Sequence, residues 1–165
     1  MSVLSFFRRG PRAATSKRVL VPFTGGELDP TVLDAAIRIA RAEDATLVPA
    51  YLMVTPFEYG LEAPLQREVA VAMPLLEAVE HAALRAGLPV DASVETGRTP
   101  THALQRLWDA EHFDRIVAPA PPGRGQGFTP KELQWILVHA PAETLILRPA
   151  PLNGRPAAVA EEEVA

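Results

Sequence analysis

Three helical stretches of this chain open on the same two-residue device, a side-chain oxygen followed by proline: Asp29-Pro30, Thr99-Pro100 and Thr129-Pro130. The oxygen takes up a free N–H of the helix's first turn. The proline has its φ already set for the helix and no N–H to leave orphaned. Such starts fix where helices begin, and so what lies between them. Short apolar or β-branched runs at 18–23, 46–54, 90–95, 115–119 and 143–148 fall in the gaps and read as strands, several of them apolar on both faces. Helical spacing fills 30–42, 65–86, 100–110 and 130–139.

In the first helix Val32, Leu33, Ala36, Ile37 and Ala40 share one stripe, and in the second Val69, Met73, Leu76, Val79 and Ala83, with Pro74 expected to kink it. The third buries Ala103, Leu104, Leu107 and Trp108, and the fourth Leu133, Ile136 and Leu137. Glu132, three residues after Thr129, predicts a capping box. Strand and helix in alternation are the sequence form of parallel βαβ units, and 165 residues with 48% apolar content suit one domain, placed at 16–149. With right-handed crossovers the first three strands step outward one way, and the last two return to the other side of the first. The expected fold is therefore α/β: a five-stranded parallel sheet in the order 3-2-1-4-5 with helices on both faces, Rossmann-like. Residues 1–15 read as a disordered leader and 150–165 as a disordered acidic tail carrying Glu161, Glu162 and Glu163.

In that order strands one and four lie side by side while their following loops diverge, and the crevice between the loops is where a ligand belongs. Both loops are rich in glycine: Thr24, Gly25 and Gly26 in the first, and Gly123, Gly125 and Gly127 around Arg124 in the second. Glycine permits left-handed backbone and the close approach of amides to an oxyanion; the bland alternative is that these glycines only make tight turns. Thr24, Gly25, Gly123, Arg124, Gly125, Gly127 and Thr129 form the candidate ligand set, with Arg124 suited to pair bidentately with a phosphate. The stretch 51–64, with Pro56, Phe57, Tyr59, Gly60 and Pro64, is a long surface connection that either contacts a ligand or is a packed lid without one.

The remaining composition mostly excludes. A net charge of −4 supplies no field to attract nucleic acid or an anionic membrane, and no apolar run approaches the roughly 20 residues that span a bilayer. The lack of cysteine removes disulfides, thiolate metal sites and thiol nucleophiles, and leaves a cytoplasmic chain as the simplest reading. His81, His102, His112 and His139 are scattered, so no metal is expected, and Ser2, Ser5, Ser16 and Ser93 all avoid the crevice. No catalytic residue is assigned.

Several segments, taken in order, resemble the universal stress protein family. Val19-Leu20-Val21-Pro22-Phe23-Thr24-Gly25-Gly26 looks like its opening strand and loop, and Gly97-Arg98-Thr99-Pro100 is similar to its third helix start. Phe113 to Ala118 resembles the strand before its glycine loop, and His139-Ala140-Pro141 with Leu145 to Arg148 its closing helix end and strand. The resemblance implies the adenine nucleotide alpha hydrolase-like fold, ATP or a related nucleotide as candidate ligand, and a homodimer formed at the edge near strand five. Family members that bind ATP carry a glycine, two residues, a glycine, nine residues, then Gly-Ser or Gly-Thr. Here none of Gly123, Gly125 or Gly127 has a glycine three residues on. Thr24 replaces an acidic residue, and the Gly-Ser position falls near Thr129-Pro130. The expectation is thus a non-catalytic binding protein of the stress response with a degenerate nucleotide crevice. The alternative is a nucleotide-binding member, slowly hydrolysing or not.

Overall fold

The structure, a computed structural model, describes residues 16–61, 65–121 and 127–150; the leader expected at 1–15 and the tail from 151 lie outside them. Nine elements alternate along the chain: β1 (Arg18–Phe23), α1 (Pro30–Ala42), β2 (Thr46–Val54), α2 (Gln66–Arg85), β3 (Ser93–Gly97), α3 (Pro100–Ala110), β4 (Arg115–Pro119), α4 (Pro130–His139) and β5 (Glu143–Leu147). The strands form one sheet in the order β3-β2-β1-β4-β5, every pair parallel. This is the topology that the crossover rule gave.

Side-chain alternation sorts the core into two layers. Val19, Val21, Phe23, Leu47, Tyr51, Met53 and Val117 point to one face, where α1 and α2 cover them with Val32, Ala36, Ile37, Ala40, Ala72, Leu76, Val79 and Ala83. Leu20, Val48, Ala50, Leu52, Ile116 and Ala118 point to the other, under α3 and α4, with Ala103, Leu104, Leu107, Trp108 and Ile136. Strands buried on both faces read as unbroken apolar runs, as β1, β2 and β4 do.

The three capped starts form as their residues dictate. Asp29 accepts from the Thr31 N–H, and Thr99 from that of His102. At Thr129 the capping box is complete: its N–H donates to Glu132 Oε2 at 2.7 Å and its hydroxyl accepts from the Glu132 N–H at 3.3 Å. The second helix runs without interruption through Pro74 and buries Ala72 in place of Met73; Met73 and Val69 are half-buried.

Two further expectations shift. β3 runs from Ser93 to Gly97 and not over 90–95: Val90 makes a lone bridge to Leu47, and Asp91 turns its carboxylate to Arg18. The ladder then resumes at Ser93 opposite Ala50 and persists to Gly97 opposite Val54. In α4, Leu137 is 60% exposed and Val138 70%, so only Ile136 is fully buried there. The reason is position: α4 covers the edge of the sheet, where Thr144 to Leu147 are themselves only half-buried. Among the described residues no helix is long and apolar enough to cross a membrane.

Candidate functional site

β1 and β4 run side by side, with Val19 opposite Arg115 and Leu20 opposite Ile116, and their loops leave the same end of the sheet. The loops meet at two glycines. Gly25 has φ +74° and Gly127 φ +76°, both in the left-handed region, and a Cβ placed on Gly25 would lie 3.2 Å from the Gly127 nitrogen. A side chain at Gly25 would therefore be strained in its own backbone and tight against its neighbour. Gly127 also packs on Pro121, whose ring atoms a Cβ would meet at 3.6 Å. The two backbones approach closely at the point where strand order reverses, which is where open α/β sheets place a ligand crevice.

The candidate ligand residues divide as follows. Gly25 and Gly127 are brought together. Thr24, beside them, donates its hydroxyl to the Leu52 carbonyl at 3.0 Å, which ties the first loop to the end of β2 and turns that oxygen's proton away from the cleft. Thr129 is the N-cap of α4, its hydroxyl and N–H both engaged with Glu132. Gly123, Arg124 and Gly125 lie outside the described residues. In the first turn of α4, Pro130 has no N–H, and Thr129 and Glu132 satisfy each other. Among the described residues only Lys131 keeps a first-turn amide not taken by the cap. A helix start so occupied offers a phosphate less than an open one does.

The connection after β2 leaves the same end of the sheet, since β2 runs parallel to β1. Thr55 donates its N–H to the Gly97 carbonyl (2.8 Å), and Thr96 its hydroxyl to that of Leu61 (3.3 Å). Arg98 reaches back from the start of α3, and one Nη1 donates to the carbonyls of Thr55, Pro56 and Tyr59 at 3.3, 2.6 and 2.8 Å. Its guanidinium also lies 5.1 Å from the centre of the Phe57 ring, which is 84% exposed. The sequence reading marked residues 97–100 only as a helix start. The reach of Arg98 escaped it because the partners are main-chain oxygens, which carry no residue signature. Among the described residues no group of three or more His, Asp or Glu converges as a metal site requires.

Residues 15–129 match the model of the Universal stress protein family. No curated protein matches the chain. Among solved structures, a protein from the universal stress protein family of Burkholderia pseudomallei is similar, with a TM-score of 0.58 and 20% identity over 82% of this chain and 98% of that one. A universal stress protein in complex with cAMP has a TM-score of 0.61 and 20% identity over 79% and 96%. An Arabidopsis thaliana universal stress protein family protein with AMP bound has 0.61 and 15% over 84% and 97%. At these identities the likeness is one of fold.

Proposed function

This chain belongs to the universal stress protein family, and on that premise we propose that it is a non-catalytic regulatory protein of the stress response whose crevice between the β1 and β4 loops takes an adenine mononucleotide. The observation that carries the reading is the meeting of Gly25 and Gly127, both with left-handed backbone, at the switch point of the sheet. That two similar folds were solved with cAMP and AMP supports the ligand class. A triphosphate is the poorer candidate, since Pro130 and the capping box leave few amides at the start of α4. Hydrolysis is not part of the proposal: the Thr24 hydroxyl is turned to Leu52, and among the described residues no group of three or more metal-ligating side chains converges.

Calorimetric titration with AMP, cAMP and ATP tests this. Saturable binding of a mononucleotide is expected, lost in Gly25→Val, where a branched side chain fills the cleft. Phosphate release with ATP and magnesium is expected to stay at the blank. Binding of none of the three ends the nucleotide reading, and steady phosphate release ends the non-catalytic one. A second reading, action through protein contact alone, is favoured by the same engaged cap and Thr24 hydroxyl.

The protein pairs as a homodimer through the β5 edge in this proposal. β5 is hydrogen-bonded to β4 on one side only, and Leu137 and Val138 stand exposed on the helix leading into it. Light scattering should give twice the chain mass, reduced to one in a Leu137→Glu, Val138→Glu double variant. A wild-type monomer would refute the pairing.

A further inference from the structure

His102 sits in the first turn of α3, and its Nδ1 accepts a hydrogen bond from the backbone N–H of Arg98 at 3.0 Å. A backbone N–H can only donate, so this contact requires a lone pair on Nδ1 and places the neutral imidazole's proton on Nε2. A second proton, on Nδ1, would turn the acceptor into a donor facing a donor. The residue held is Arg98, whose side chain gathers three carbonyls of the 55–61 connection and lies against one face of the exposed Phe57 ring. Thr24 is tied to Leu52, three residues before that connection begins, so the strapped segment and the cleft share the end of β2.

We propose that His102 and Arg98 form a proton-operated strap: neutral His102 fixes the Arg98 backbone so that its guanidinium fastens residues 55–61 to the end of the sheet, and protonation of His102 releases them. Histidine is the side chain suited to a proton-operated contact, because adding one proton both charges the ring and removes its acceptor. The charged groups around it are Arg98 itself, Arg106 one turn along α3, Glu95 of β3, which Arg106 pairs at 3.2 Å, and Glu58 within the strapped segment. The strap does not depend on a nucleotide in the cleft.

The test compares wild type with His102→Asn, whose side-chain oxygen stands where Nδ1 does and accepts at every pH. Hydrogen exchange of residues 55–61 is measured in both proteins at matched pH, and the ratio of their rates cancels intrinsic exchange chemistry. All other charged groups are common to the two proteins. The ratio should be near one at pH 8 and rise to about fivefold at pH 5, the loss of one hydrogen bond's net worth. Its midpoint should coincide with the His102 ring titration followed by NMR. Arg98→Gln should raise exchange of the segment at both pH values and abolish the pH-dependent difference. A flat ratio overturns the proposal, as does a His102 ring that never protonates down to pH 5, or exchange unchanged by Arg98→Gln. Should either variant fail to fold, the wild-type Tyr59 amide shift decides alone: it must titrate together with the His102 ring.

Discussion

Replacing Gly97 by alanine should cost this protein more stability than any other glycine-to-alanine change among its described residues. Gly97 closes β3 with ordinary backbone angles, so the demand on it is for space. A Cβ there would lie 2.3 Å from the Ala103 nitrogen, 2.7 Å from its Cα and 2.9 Å from its Cβ. The first two are backbone of α3, so no rotamer relieves the clash. To restore ordinary contact, which begins at 3.4 Å, α3 must retreat by about 1 Å. That helix carries Ala103, Leu104, Leu107 and Trp108 into the core, and a gap of that size forfeits a quarter to a half of each contact's attraction. Overpacking usually costs about 1 to 3 kcal/mol, and a clash against backbone belongs at the upper end, about 3 kcal/mol. For a chain of this length that lowers Tm by about 6 to 12 °C. Urea unfolding followed by tryptophan fluorescence is the assay, because Trp108 of α3 and Trp135 of α4 stack at 5.3 Å in the layer that must move. Gly60→Ala, with nothing within 4 Å, is the control and should change stability by less than about 0.5 kcal/mol. A Gly97→Ala loss below about 1 kcal/mol would refute the packing argument.

Arg18→Ala should destabilise by about 2 kcal/mol in the same assay, since it removes the half-buried guanidinium that pairs with Asp91 at 2.9 Å and Glu111 at 2.7 Å, and uncovers Phe113. Thr129→Ala removes the N-cap of α4 and should cost about 1 kcal/mol, with Thr129→Ser close to wild type. Glu80 has its carboxyl pKa raised, chiefly by burial and then by Glu77, against a smaller opposing pull from His81, with Asp91 adding to the rise. Its folded form therefore binds the proton more tightly than the unfolded chain does, and stability falls as pH climbs from the ordinary carboxylate range through the raised value. Glu80→Gln should accordingly raise Tm at pH 7, and the gain should vanish when melting is repeated below the ordinary carboxylate range. A constant gain at all pH values would refute that cause.

The cap-proline pairs and the apolar runs between them were enough to place three helix starts, both ends of β1, β2 and β4, and the order β3-β2-β1-β4-β5. Each is set by local chemistry or by the handedness of a crossover. The family was legible on the same residues. Thr24, Gly25, Gly127 and Thr129 were legible as loop residues, yet their roles were not. That Gly25 and Gly127 touch, that the Thr24 hydroxyl turns to Leu52, and that Arg98 straps the 55–61 connection depend on which main-chain atoms come within reach once the sheet has assembled. Leu137 shows the same limit, since helical period marks an apolar face but not whether a strand lies beneath it. The sequence determined what could be decided within a turn or two of the chain. Contacts between backbones remote in sequence, which any residue type can make, were decided only by the folded molecule.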